Sequence, residues 1–323
     1  MITTASPKQA FIGRDATGDT RWTRADTVRR LGRSMGTRSQ QPRKVRAFYE
    51  LLSTTNFFTE ESLYFNLGYW ADSPTTFDAA CEALADQLAQ AAVIHEGDTV
   101  LDAGCGFGDA ALRWAGEHQA GTIVGINITP LQGRIARERG RSSPGASVEV
   151  LSADATELPF RDHSFDVILA LESAFHFVTR EDFFKDAFRV LRPGGRLATA
   201  DMLPLPKRHR GLLPRAVKNF LLDLAITVYP HQNVYDRNEY SERLRVCGFD
   251  DVQVRSIRED VYPGAVAHLV RRVDAGDPSL PLTSLERKLT QLAVLRGPIG
   301  RRLRNGYDYV IAVATRPGDR SSA

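Results

Sequence analysis

Hydrophobic and polar positions change period twice along this chain. Between Asp78 and Ala92 the apolar residues return every three or four positions, which predicts an amphipathic helix capped by Thr76 or Asp78. From Asp98 the pattern becomes that of short buried strands. DTVLD (98–102), TIVGIN (122–127), SVEVLSAD (147–154), SFDVILALES (164–173) and RLATADM (196–202) are compact apolar runs. The helical patterns DAALRWAGEH, TPLQGRIARERG and EDFFKDAFRVL separate them, and PGG (193–195) predicts a turn ahead of the fifth run. DDVQVRSI (250–257) and DYVIAVATR (308–316) supply two more strands. Strands alternating with helices predict an α/β protein, doubly wound, with a mostly parallel seven-stranded sheet and right-handed crossovers. The closing pair would bring in one antiparallel edge strand.

Some segments stand outside that alternation. Phe48, Leu51 and Leu52 have helical spacing, in a segment ending near Asn56, and the aromatic SLYFNLGYW (62–70) reads as a buried loop or short helix. Residues 203–246 hold Pro204, Pro206, Pro214 and an apolar helix around Val217 to Val228. Residues 264–304 hold a second helical stretch, Ser284 to Leu295. Both are read as helical cap insertions over the carboxyl ends of the strands. The first 42 residues are polar and poor in large apolar side chains, as in a disordered arm. Residues 43–323 then form one domain.

Charge sharpens this division. Of the 42 Lys/Arg and 39 Asp/Glu, residues 1–45 hold ten and three, which leaves 32 and 36 in the rest of the chain. The basic excess belongs to the arm, whereas a nucleic-acid enzyme would carry it on its body. No run of about 18 apolar residues spans a membrane, and the N-terminus lacks the apolar stretch of a secretory signal. Cys81, Cys105 and Cys247 are odd in number and widely spaced, so neither a disulfide framework nor a zinc site is expected. A cytoplasmic setting fits these features. A homo-oligomer is left open.

The chemistry concentrates at Asp102-Ala-Gly104-Cys-Gly106-Phe-Gly108, between a strand and a helix. Glycine there lets the backbone turn tightly and approach a ligand, and the following helix turns its N-terminal N–H groups toward it. Glycines at every second position differ from the dinucleotide fingerprint. The fourth strand ends in Leu171-Glu172-Ser173-Ala-Phe-His176, on the side of an open sheet where ligands bind. A histidine there can take a proton from an acceptor hydroxyl. Asp201, at the end of the fifth strand, could orient or assist it, or else cap the next segment.

The segment VLDAGCGFGDAA resembles the first motif of class I S-adenosylmethionine-dependent methyltransferases. GINITPLQ, SADATELPFRDHSFDVILALESAFHF and FKDAFRVLRPGGRLATADM extend the match in order over about residues 45–202. Within the class the chain looks closest to the branch holding erythromycin and rebeccamycin O-methyltransferases and tocopherol methyltransferases. The resemblance implies a Rossmann-like fold and S-adenosyl-L-methionine as cofactor. It implies O-methylation of a small, largely apolar natural product, as in antibiotic biosynthesis, with C- or N-methylation or a cofactor-retaining cyclase as alternatives and a non-enzymatic cofactor-binding module as the last of them. The acceptor would be a small molecule, not a nucleic acid, and no metal is implied. Asp102, Gly104, Cys105 and Gly106 would hold the methionine part. Asn127, Ile128 and Gln132 would meet the ribose, Asn127 standing where the wider class has an acidic residue. Asp154 and Ala155 would meet the adenine. Glu172 would complete the cofactor site, and Tyr69 and Trp70 would close over it. His176 and Asp201 would be the catalytic pair.

Overall fold

A computed structural model describes residues 42, 43, 45, 46, 49, 50, 59–143, 147–205, 230–277 and 306–318. Seven strands form one sheet: β1 (Thr99–Ala103), β2 (Thr122–Asn127), β3 (Val148–Ser152), β4 (Phe165–Leu171), β5 (Leu191–Pro204), β6 (Asp250–Ser256) and β7 (Tyr307–Thr315). Their order is β3-β2-β1-β4-β5-β7-β6. The pairs from β3 to β5 are parallel, whereas β7 runs antiparallel to both β5 and β6. The antiparallel strand is therefore interior, and β6 takes the edge position expected for it. β7 pairs with β5 over nine consecutive positions, from Arg196↔Thr315 to Pro204↔Tyr307.

The period-two alternation sends successive side chains to opposite faces. Val100, Leu169, Ala198 and Ile311 pack on one side with helices α1 (Phe77–Ala92), α2 (Asp109–Glu117) and α6 (Arg258–Asp274). Leu101, Ile168, Leu197 and Val310 pack on the other with α4 (Arg180–Val190) and α5 (Arg237–Val246). The remaining helix, α3 (Pro130–Arg141), follows β2. Thr76 caps α1, its hydroxyl accepting from Ala79 N at 3.1 Å.

Several expectations are corrected here. The PGG segment is no turn between elements. It is absorbed into β5 as a bulge, where the register passes from Phe165↔Leu191 to Val167↔Arg196 and Gly194 takes φ +80°. Residues 237–246, expected in a cap, form α5 and pack on the sheet layer through Tyr240 and Leu244. Residues 264–274 belong to α6, which starts at Arg258 and carries Pro263 inside it. The cap helices expected at 217–228 and 284–295 lie outside the described residues, as do residues 1–41 of the arm and 51–58. The described residues of 42–50 are helical. Among the described residues no helix is long and apolar enough to cross a membrane.

Candidate active site

Between β1 and β4 the strand order reverses, and connections leave the carboxyl ends of these strands in opposite directions. An open sheet has its ligand crevice at such a point. A cavity open to solvent lies there. From β1 and its loop it is lined by Asp102, Gly104, Cys105 and Gly106. From the end of β2 onward it is lined by Asn127, Ile128 and Gln132, after β3 by Asp154 and Ala155, and after β4 by Glu172 and His176. Eleven of the residues singled out from the sequence thus face one cavity.

The glycine loop is held from both sides. Gly104 N and Cys105 N both donate to Ile126 O at 3.0 Å. Gly104 has φ +97°, and a Cβ there would stand 2.5 Å from that of Ser173. At Gly106, φ is +54° and a Cβ would meet no protein atom within 4 Å, so the space beside it belongs to the cavity. Asn127 braces this loop: Nδ2 donates to Gly106 O and to Gln132 Oε1, both at 3.0 Å, and Oδ1 accepts from Thr129 N at 2.9 Å. Oδ1 keeps one lone pair for a ligand hydroxyl. Asp154 accepts from Thr156 N and Oγ1 through Oδ1.

Two carboxyls are perturbed. Asp102 is 1% exposed, and its Oδ2 has no hydrogen-bond partner among the described residues. Burial pushes its pKa up to about 7. The Glu172 carboxyl is pushed up to about 7 by burial, against the opposing pull of bonds from Tyr309 OH and Leu67 N, both at 2.6 Å. Glu172 has φ +47°, a left-handed conformation that costs a residue other than glycine about 1 kcal/mol or more. Asp109 also lines the cavity and is paired with Arg139, at 2.7 Å for Nη1 to Oδ2. Among the described lining residues there is no Lys or Arg. The cavity is therefore complementary to a cation. An orphan carboxyl oxygen, glycines that open space, and an acidic wall together fit a sulfonium donor with an ammonium tail.

His176 sits in a short 3-10 turn, Ala174–His176, and is 7% exposed. Its Nε2 is 2.6 Å from the hydroxyl of Tyr49, whose ring meets the imidazole edge-on with centroids 5.2 Å apart. Burial, helped by the Glu172 charge, raises the Tyr49 phenol well above its usual value. Tyr49 also lines the cavity, and sequence reasoning missed it. Its only sequence signal was an aromatic residue beside the helical positions Phe48, Leu51 and Leu52.

Three expected site residues lie elsewhere. Asp201 is fully buried and paired with Arg180, at 2.7 Å for Nε to Oδ2, with Tyr240 OH a further donor at 3.3 Å. Its carboxylate is spent on Arg180 and does not line the cavity. Asp201→Asn is expected to cost roughly 3–5 kcal/mol, because it weakens a buried pair from one side only. Urea unfolding checks this, and an unchanged midpoint would refute it. Tyr69 and Trp70 are turned away from the cavity. At Gly68, φ +74°, the chain reverses so that Tyr69 N donates to Ala80 O and Trp70 N to Asp260 O. The Trp70 ring packs on Phe77 and His268, over Gly264 of α6, where a Cβ would come within 2.2 Å of it. Leu63, Tyr64, Phe65 and Asn66 of the same aromatic segment line the cavity instead.

Comparison with known proteins agrees with this geometry. Residues 101–199 match the family described as methyltransferase domain. Over 292 residues the chain is 36% identical to erythromycin 3''-O-methyltransferase from Saccharopolyspora erythraea, covering 87% of this chain and 93% of that relative. The chain belongs to the S-adenosylmethionine-dependent methyltransferase family. A second relative of this methyltransferase is the 27-O-demethylrifamycin SV methyltransferase of Amycolatopsis mediterranei, 42% identical over 61% of this chain and 70% of its own length. Among solved structures, the cyclopropane synthase MmaA2 from Mycobacterium tuberculosis shares the fold at TM-score 0.69 and 18% identity. It covers 85% of this chain and 98% of its own. The cyclase SpnF shares the fold at TM-score 0.58 and 22% identity, over 79% and 88%. S-adenosylmethionine is the cofactor of this methyltransferase.

Proposed function

We propose that this methyltransferase O-methylates a small, largely apolar natural product bearing a hydroxyl group, with His176 and Tyr49 removing the proton. The observation that carries this reading is the 2.6 Å contact between Tyr49 OH and His176 Nε2 at the cavity wall. When bound, S-adenosylmethionine supplies a methyl group on a sulfonium, which departs as a neutral thioether once the acceptor oxygen has taken the methyl. The chain's own task is to align two reactants and to move one proton.

With Tyr49 as donor, its phenol oxygen accepts the proton of the acceptor hydroxyl while its own proton passes to Nε2. The raised phenol pKa keeps Tyr49 protonated, as such a relay requires. Asp102 and the Gly104–Gly106 loop would hold the methionine part, Asn127, Ile128 and Gln132 the ribose, and Asp154 and Ala155 the adenine. The relatives named for erythromycin and rifamycin O-methylation support oxygen as the acceptor atom of such an apolar natural product. Val45, Leu63 and Phe65 at the cavity suit that surface. The basic excess in the N-terminal arm rather than the body argues against nucleic acid. All three cysteines are unpaired, which suits a reducing cytoplasm.

The test is incubation of the full chain with S-adenosylmethionine and hydroxylated macrolide acceptors. A product heavier by one methylene unit should appear in step with S-adenosylhomocysteine. A rearranged product of unchanged mass, with the donor unspent, would replace this reading by a cyclase. Methylation at carbon or nitrogen would overturn the choice of oxygen.

A further inference from the structure

Methyl transfer changes the charge of what the cavity holds. The donor enters as a sulfonium and leaves as an uncharged thioether, while its ammonium and carboxylate stay as they were. A pocket that binds both equally well releases its product slowly, and one that reads the sulfonium does not. The acidic groups of the cavity are therefore worth separating. Asp109, from α2, is neutralised by Arg139. Asp154 lies after β3, on the far side of β2 and β1 from the His176 turn. Asp102 lies at the glycine loop, which would hold the methionine tail. Glu172 stands four residues before His176, at the head of the turn that carries the imidazole. It is the one charged group that raises the Tyr49 phenol.

Glu172 is also held in place at a cost. Both of its hydrogen bonds, from Leu67 N and Tyr309 OH, go to Oε1. Its backbone is kept at φ +47°, with its N–H donating to Ala200 O at 2.9 Å. Strain of this kind persists where the surroundings over-determine it. From these observations we propose that Glu172 is the residue that reads the sulfonium, tightening the cavity on the methyl donor and loosening it on the thioether product. This rests on the reading of the cavity as the donor site.

An opposite charge within a few ångströms favours the charged state by roughly one to three pKa units, or ten- to thousandfold. That scale decides the experiment, which measures binding calorimetrically on the full chain with S-adenosylmethionine, sinefungin and S-adenosylhomocysteine. Sinefungin carries an amine in place of the sulfonium. Glu172→Gln keeps an oxygen for Leu67 N and Tyr309 OH and removes only the charge. It should weaken S-adenosylmethionine and sinefungin by roughly ten- to hundredfold and leave S-adenosylhomocysteine unchanged. Tyr309→Phe removes a hydrogen bond and keeps the charge, so the preference for donor over product should persist.

Acidification should mimic the glutamine. Glu172 titrates near 7 in the free enzyme, so between about pH 8 and about pH 6 it gains its proton and the preference for the donor should shrink. The titratable groups that interact with it are Tyr49, Cys81 from α1, Asp201 from β5, Tyr262 from α6 and Tyr309 from β7, and Asp102 shares its cavity. Asp102 titrates in the same window and would lower donor and product affinity together, through the ammonium they share. The ratio of the two affinities isolates Glu172, and in Glu172→Gln that ratio should be flat with pH. Equal weakening of all three ligands, or no change in any, would overturn the proposal. If the parent bound neither donor nor product, the reading of the cavity itself would fall, which is a separate result.

Discussion

Replacing His176 by alanine is expected to lower kcat by roughly 10²–10⁴-fold, the contribution of a positioned general base, while leaving the affinity for S-adenosylmethionine nearly intact. An alcohol is a poor nucleophile until its proton leaves, and the imidazole is the group placed to receive it, through Tyr49 at 2.6 Å. The ring is fixed by Phe175, with centroids 3.8 Å apart, and by His176 N donating to Ser173 O at 3.0 Å. Asn233 steadies the turn further, its Nδ2 donating to Phe177 O at 2.9 Å. Tyr49→Phe leaves the imidazole but removes the hydroxyl through which the proton passes, so its kcat should fall in the same direction. The pair of measurements is steady-state turnover with a hydroxyl acceptor and calorimetric donor binding. Normal turnover in His176→Ala would make the histidine a packing residue and leave catalysis to alignment alone. Normal turnover in Tyr49→Phe, with His176→Ala inactive, would remove the relay and keep the base.

Gly106→Val should abolish donor binding while the protein still folds. The Cβ of a residue at 106 would meet no protein atom within 4 Å, so a branched side chain there stands in the ligand's space rather than in the core. The left-handed backbone, φ +54°, adds a cost of roughly 1–2 kcal/mol. In a chain of this size, that strain lowers Tm by a few degrees. The expected result is a folded protein with no heat of binding at donor concentrations that saturate the parent. Gly106→Ala should fall between the two. An unchanged donor affinity in the valine variant would remove Asp102-Ala-Gly104-Cys-Gly106 from the cofactor site and with it the placement of every ligand group proposed here.

The layered α/β fold was legible because its signals are local. Each strand is a short apolar run and each following helix a three-to-four residue period, and β1, its glycine loop and α2 are contiguous in the chain. Asp102, Gly104, Cys105 and Gly106 share a cavity because seven consecutive residues form one turn. Asn127, Asp154, Glu172 and His176 join them because parallel strands deliver all their carboxyl ends to one edge of the sheet. What the chain order alone left open were pairings across distance. Tyr49 meets His176 across 127 positions, and a tyrosine on a helix carries no mark of its partner. Asp201 reads from the sequence as a partner that orients or assists His176 until the Arg180 guanidinium occupies it, and only burial of both side chains makes that pair obligatory. The direction of Trp70 is set by the reversal at Gly68 and by the room that Gly264 leaves on a helix nearly two hundred residues later. The antiparallel strand could be anticipated but not its place, since insertion of β7 between β5 and β6 depends on which backbone edges remain to be hydrogen-bonded once the sheet has formed.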